Sequence, residues 1–470
     1  MRSARGRTSR QRKRKDRDFF KEVDKNLINL QRWMKTVSFK ADGLAVAEFK
    51  GTGRGLIAKK NLYPGDVILS TPCEVLIGVA KACRESHWVK TVLGLHSSIG
   101  IHALCLFLIE ERRKLNSAEK GSNVPIGKWD KYVKVLPDHF THPVCWNSDV
   151  LCLLPPDLLR KVVSTRSKVE GQVKLINKLI CMAAKHKLLQ KLCGRDGTFG
   201  LLQEEISVEE YKWAWCCVNT RCVYSDHDPP KLKGLQPSEA DNYFLVPFLD
   251  LLNHSVGARV EAKYNKLSKK FEIKTLNSVK KYSQVFIHYG AHSNGFLLTE
   301  YGFIDESQTN YDDNVPCQWR DLLENHNFEE NVADMMTSLL EKYSINGGLC
   351  FTYVAPSWSL SITLLLLQLF ASDCVDNPEA TFLSLLAYKL PSKHCQEVLE
   401  SARRILLRIC TKKREFVTGF ITRCNRQLVI CKPNDKLIVE MISKLWNIYN
   451  NIIKINCELI NSNQCFCDFS

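Results

Sequence analysis

No run of about 18 apolar residues, the length needed to cross a bilayer, occurs in this sequence. The longest apolar stretch, Leu360 to Phe370, is broken by Ser361, Thr363 and Gln368, so no membrane span is expected. The first residues lack the apolar core of a secretory signal. No G-x-G-x-x-G opens a helix, which argues against a dinucleotide fold. Strands and helices do not alternate regularly, which argues against a doubly wound sheet. Around Cys465-Phe466-Cys467 only Cys457 is nearby and a full C-x-x-C pair is missing, so no metal site is expected.

What is present narrows the class. The 470 residues, 45% of them hydrophobic, supply ample core for two to four domains. The 20 cysteines are scattered without the spacing of a disulfide framework. With no export signal, they read as reduced, mostly buried thiols of a nuclear or cytosolic protein. The net charge is +16, and residues 1–17 hold nine Lys or Arg against one Asp, half of that excess. The run Arg12-Lys13-Arg14-Lys15 fits a nuclear import signal and equally a disordered solubilising tail. Specific nucleic-acid binding is not expected.

Along the chain, residues 1–17 read as a disordered basic tail. Phe20, Val23, Leu27, Leu30 and Met34 share one helical face, so residues 18–43 are expected to hold an N-terminal helix from about Phe19 to Lys35. Short apolar runs follow at Leu44 to Phe49, Gly55 to Ala58, Val67 to Ser70 and Val75 to Ile77. They are broken by glycines and Pro64-Gly65, the pattern of short strands and turns. Ile99 to Arg113 reads as a buried helix. Trp129 begins another that ends before Pro137. Residues 156–195 are helical and basic. Ser207 to Glu210 forms a capping box for a further helix. Val260 to Tyr264 and Lys270 to Lys274 alternate around Asn265 and Ser268, which predicts a hairpin. Val285 to Tyr289 predicts a strand ending at Gly290. From about 320 to 460 the chain is nearly all helix. The fold class is therefore α+β, with broken β structure, a helical insert, more β structure and a helical tail.

Three segments carry chemistry. In Gly51-Thr52-Gly53-Arg54-Gly55, alternate glycines let a backbone bend tightly and approach a ligand closely, although a plain turn would look the same. Asp250-Leu-Leu-Asn253-His254-Ser255 offers directional donors and acceptors suited to a purine edge or an ammonium, although an Asn-His pair also serves as a cap or turn. Tyr289-Gly290, Asn294 and Tyr301-Gly302-Phe303 form the third, with tyrosines that also suit a core.

Taken in order, with about 36 residues from Asn253 to Tyr289, these pieces resemble the SET family of protein methyltransferases, and within it the Rubisco large-subunit methyltransferase-like branch. Trp129-x-x-Tyr132-x-x-x-Leu136-Pro137 is similar to that branch's W-x-x-Y-x-x-x-L-P segment. Tyr211 to Arg221 is similar to its helix ending in an arginine. The resemblance covers residues 44–310. It implies a SET fold of short sheets with a pseudoknot, a long helical insert at about 90–206, and a helical substrate-binding domain at 320–460.

The resemblance also implies an activity: methyl transfer from S-adenosyl-L-methionine to a protein lysine, on histone or non-histone substrates. The chain is expected to be a monomer, and its thiols and basic run place it in nucleus and cytosol. Thr52, Gly53, Arg221, Asp250, Asn253, His254 and Phe303 would hold the cofactor, and Tyr289 would be catalytic. Tyr301 would wall the lysine channel. Phe271 stands where relatives carry tyrosine, and its missing hydroxyl would leave room for more methyl groups, although the ring equally suits the hairpin core. The kept Tyr301-Gly302-Phe303 favours lysine over the histidine that some relatives modify. A non-catalytic SET-fold chromatin adaptor is the third reading.

Overall fold

The computed structural model describes residues 19–21, 24–95, 101–122, 124–184, 204–225, 242–323, 330–345, 348–371, 377–389 and 395–465. The basic tail, with its Arg12 to Lys15 run, lies outside these residues, as do Phe466 and Cys467. The chain divides into two compact units, residues 1–145 with 161–290, and residues 146–160 with 291–470.

The first unit opens with β1 (Phe19–Lys21) and α1 (Lys25–Thr36). The single helix expected from Phe19 is thus corrected: Phe19 to Lys21 pair antiparallel with Phe49 to Ala47 of β2 (Leu44–Phe49). The side chain of Asp24 accepts from the Asn26 N–H at 2.8 Å and sets the helix start there. Leu27, Leu30 and Met34 then face inward at helical spacing.

β2 turns into β3 (Gly53–Ala58) through Lys50 to Thr52, with Phe49 opposite Gly53. Gly51 at φ 98° and Gly53 at φ 66° supply the left-handed conformations that this three-residue turn needs. β4 (Val67–Pro72) follows, and the strand expected at Val75 to Ile77 is instead a 3-10 turn with one isolated bridge from Ile77 to Leu245. Next come α2 (Val79–Glu85), α3 (His87–Leu95), α4 (His102–Glu119), α5 (Asp130–Val133), α6 (Pro156–Ala184) and α7 (Val208–Arg221). The Ser207 hydroxyl accepts from the Glu210 N–H at 3.1 Å, as the capping pattern predicts.

The remaining strands are β5 (Cys222–Tyr224), β6 (Tyr243–Leu245), β7 (Asn253–His254), β8 (Val260–Asn265), β9 (Lys270–Thr275) and β10 (Gln284–Ile287). β8 and β9 form the predicted hairpin; Asn265 Oδ1 accepts from the N–H groups of Leu267 and Ser268 in its turn. The main sheet runs β1-β2-β3-β10-β7, a second runs β4-β9-β8, and β5 pairs with β6. Within the main sheet β7 and β10 are parallel, Asn253 opposite Phe286 and His254 opposite Ile287. One hydrophobic cluster joins these elements, from Leu27 through Phe107 and Trp129 to Phe248 and Val285.

The second unit holds α8 (Asn294–Tyr301), a β11 (Asn314–Pro316) and β12 (Cys350–Thr352) pair, α9 (Trp358–Ala371), α10 (Cys395–Ile430) and α11 (Pro433–Asn461). β12 is the exception to an otherwise helical tail. In α9, Leu360 to Leu369 are all buried, which explains an apolar run with no amphipathic face. No helix among the described residues is long and apolar enough to cross a membrane. The fold class is α+β, as the sequence predicts.

Candidate active site

Four segments of the first unit meet beside the β2–β3 turn. The Asn253 side-chain amide donates to the Arg54 carbonyl at 3.0 Å and to the Thr52 carbonyl at 3.4 Å. The Thr52 hydroxyl donates to Gln284 Oε1 at 3.0 Å. A Cβ at Gly55 would sit 2.7 Å from Gln284 Nε2 and 2.8 Å from Asn253 Nδ2. Glycine at 55 is therefore what lets β7 and β10 close over β3. At Gly51 and Gly53 the opposite holds: among the described residues nothing lies within 4 Å of a built Cβ, so these leave the turn open on that side.

Tyr289 lies two residues past the end of β10. Its hydroxyl donates to the Leu252 carbonyl at 2.8 Å, and its backbone N–H donates to His254 Nδ1 at 3.1 Å. Both bonds land on the segment that runs parallel beside it, and the His254 and Tyr289 rings lie 5.2 Å apart. Tyr289 is thus held at two points on the neighbouring segment, once by its phenol and once by its backbone.

Arg221 ends α7. Its Nη1 donates to the Asp250 carbonyl at 3.0 Å and to Asp250 Oδ2 at 3.2 Å. The Tyr132 hydroxyl donates to the same carboxylate oxygen at 3.0 Å. Side-chain exposure is 19% for Arg221 and 3% for Asp250. Burial raises the Asp250 pKa, opposed first by the Arg221 charge. Burial alone would lower that of Arg221, but Asp250 outweighs it and holds the guanidinium charged. Burial, with Asp250 beside it, pushes the Tyr132 phenol well up, so it stays neutral and donates. The cluster is a compensated ion pair with one neutral donor.

The expected site residues fall into three sets. Thr52, Gly53, Arg221, Asp250, Asn253, His254 and Tyr289 all belong to the cluster just described. Phe271 lies on β9, 3% exposed and part of the main core, opposite Tyr264, so it has a packing role whatever else it does. Tyr301 and Phe303 belong to the second unit, where Tyr301 closes α8 and the two rings lie 6.1 Å apart. Tyr132 and Gln284 join the site without having been assigned to it. Gln284 does have a local signal, a lone polar side chain heading an apolar strand.

Residues 53–290 match the SET domain family model. The chain belongs to the SET-domain methyltransferase family. It is 30% identical over 443 residues to SET domain-containing protein 4 of Mus musculus, covering 89% of this chain and 92% of that one. The ribosomal lysine N-methyltransferase set11 of Schizosaccharomyces pombe is 27% identical over 58% of this chain and 59% of its own. The actin-histidine N-methyltransferase of Danio rerio is 26% identical over 62% of this chain and 43% of its own. Among solved structures, the SET domain of LSMT bound to MeLysine and AdoHcy has a TM-score of 0.59 at 18% identity, covering 94% and 93% of the two chains, a likeness of fold. The SET match begins at Gly53 and ends at Gly290, so both the glycine turn and Tyr289 lie at its edges.

The donor set suits a small zwitterionic ligand with a flat polar edge. Among the described residues, Arg221 Nε is buried without a partner, and Gln284 Nε2 likewise. The open backbone at Gly51 to Gly53 offers room beside them. With both amide hydrogens of Asn253 committed to the turn, its carbonyl is the part left to accept. S-adenosylmethionine, with its carboxylate, amine and purine, fits these groups.

Proposed function

We propose that this chain is an S-adenosylmethionine-dependent protein-lysine N-methyltransferase. The observation that carries the reading is the double anchoring of Tyr289 on the Leu252 to His254 segment, next to the turn that Asn253 holds. Solved relatives of the same fold hold AdoHcy with MeLysine.

When bound, the cofactor supplies a methyl group on a positively charged sulfur. The backbone of Thr52 and Gly53, the Arg221 guanidinium and the side chains of Asn253 and His254 hold it. Asp250 keeps Arg221 charged and oriented. Tyr289 acts on the acceptor: a phenol that donates to a carbonyl can accept in return, so its oxygen orients an amine. The amine must be neutral to attack, although free lysine titrates near 10.4. A desolvated channel and a nearby positive charge both disfavour the ammonium and so lower that pKa. What the protein then contributes is alignment. Phe271, without a hydroxyl, restricts the acceptor channel less than tyrosine would in this reading.

The substrate is a protein, and the related enzymes cited act by name on ribosomal protein and on actin, which gives histones no particular support. Histidine is the second reading, favoured by the similarity to the actin-histidine enzyme. An imidazole is neutral at pH 7 more readily than an amine. The test is mass spectrometry of a cell extract after incubation with the purified chain and isotopically labelled cofactor. Label on lysine supports the proposal, label on histidine transfers it to the second reading, and no cofactor binding by calorimetry makes the chain an adaptor. We further propose residence in both nucleus and cytosol, resting on the basic N-terminal run.

A further inference from the structure

The W-x-x-Y-x-x-x-L-P segment takes no part in the chemistry above, yet it bonds to three of the pieces that do. From one stretch of nine residues, Trp129 to Pro137, the Val135 carbonyl accepts from Arg54 Nη1 at 3.1 Å. Arg54 sits between the two glycines that end the β2–β3 turn. The Tyr132 hydroxyl donates to Asp250 at 3.0 Å, two residues before Leu252 and three before Asn253. The Pro137 carbonyl accepts from the indole N–H of Trp213 at 2.9 Å, on the helix that ends at Arg221. The segment itself is fixed from behind. The Trp129 indole donates to Glu85 at 2.5 Å, and its ring meets Trp33 edge-on at 5.5 Å and Phe107 at 6.5 Å. On the other side, Arg112 lies 4.0 Å over the Trp213 ring and pairs with Asp138 at 2.9 Å.

We infer that residues 129–137 are a clamp that sets the distance between the glycine turn, Arg221 and the Asp250–Asn253 segment, with Tyr132 as its positioning residue for cofactor binding. The inference rests on the reading that these three pieces hold the cofactor.

The argument turns on the hydroxyl of Tyr132. The residue is fully buried, at 0% exposure. Phenylalanine would serve its packing equally well, so packing does not call for an oxygen there. That oxygen has one hydrogen-bond partner, the carboxylate that also holds Arg221. A carboxylate with two donors on one oxygen has its plane fixed, and the Arg221 fork is fixed with it. Without the phenol, Asp250 turns about its own side-chain bond and Arg221 is held only through the Asp250 backbone carbonyl. Arg54 does the equivalent at the turn: its bond to Val135 ties the open backbone at Gly53 to the same segment. Neither side chain is assigned to the cofactor or to the acceptor, so losing either should disturb where the cofactor is held and leave the chemical step nearly alone.

The test uses the full chain and two variants, Tyr132→Phe and Arg54→Met. S-adenosylmethionine affinity is read by calorimetry, and cofactor KM and kcat by methyl transfer to an extract substrate. Each variant is expected to raise Kd and cofactor KM together, by about tenfold for Tyr132→Phe, the size of one hydrogen bond to a charged group. At saturating cofactor, kcat should change by less than about twofold. Wild-type Kd in both folded variants overturns the clamp. So does a fall in kcat with KM unchanged, or a lowered melting temperature with no change in Kd. If Tyr132→Phe does not fold, Arg54→Met decides. If the wild-type chain does not bind S-adenosylmethionine, the proposed function fails first, and that result is distinct from normal binding in the variants.

Discussion

Replacing Tyr289 by phenylalanine separates the bond its hydroxyl makes in this structure from the role proposed for it. The first is structural: it donates to the Leu252 carbonyl at 2.8 Å, in a residue only 1% exposed. Removing the donor forfeits one hydrogen bond and strands a buried carbonyl, a loss of roughly 1–3 kcal/mol. At about 2–4 °C per kcal/mol for a unit of this size, the melting temperature should fall by several degrees. The proposed second job is to align the acceptor amine. Its loss should lower kcat at least about tenfold, or ~1.4 kcal/mol in the barrier. The backbone N–H of Tyr289 still donates to His254, so the cofactor side of the site stays in place and cofactor KM should hold near its original value. Thermal melts, calorimetry with S-adenosylmethionine and steady-state kinetics on one preparation read all three. A variant with normal kcat would refute the catalytic role. A raised cofactor KM at unchanged kcat would make Tyr289 a binding residue instead.

Asp250→Asn keeps an acceptor for Tyr132 but leaves Arg221 as an uncompensated, largely buried cation. It should destabilise the chain by about 2–4 kcal/mol by chemical denaturation, and a loss under about 0.5 kcal/mol would show that the pair contributes little. Lys81 donates to the Cys73 and Glu74 carbonyls, and burial holds its pKa at about 8, below the ordinary 10.5. The unfolded chain therefore binds more protons between those values, so this group's contribution to stability increases as pH rises through about 8 to 10.5. The stability of the wild type minus that of Lys81→Met should grow across that window, and a flat difference would refute the assignment. Deleting residues 1–17 should leave methyl transfer intact and move the protein toward the cytosol. An unchanged nuclear fraction in cell imaging would reduce the tail to a solubilising role.

Patterns confined to a few neighbouring residues were the legible ones. The Ser207 cap and the hairpin around Asn265 follow from local donors and acceptors, and both stand in the structure. Phe19 to Lys21 misled because Phe20 continues the apolar period of α1. What makes this stretch a strand is pairing to Phe49, which a helical period cannot report. Val75 to Ile77 is apolar because it is buried, and of the three Ile77 alone pairs, in one isolated bridge. At the site, the glycines, Asn253, His254 and Tyr289 were visible as an ordered set of motifs. The bond from Tyr132 to Asp250 spans 118 positions, and Gln284 meets Thr52 across 232. No window of sequence holds both members of either pair. That distance is why Tyr132 was seen as part of a motif and not as part of the site.

β10 lies between β3 and β7 in the main sheet, although it is made last. This order has a consequence for how the protein is born. β3 ends at Ala58 and β10 begins at Gln284. At about 5–20 residues per second, a ribosome takes some tens of seconds to cover that interval. Throughout it, β3 stands as an open strand edge beside an apolar face, and β7 has no neighbour to pair with. Contacts this distant in sequence also close slowly once the chain is complete. The nascent protein is therefore most exposed to aggregation before Tyr289 emerges. A holding chaperone would matter most in that interval, and a message truncated there would encode a chain that can never assemble its site.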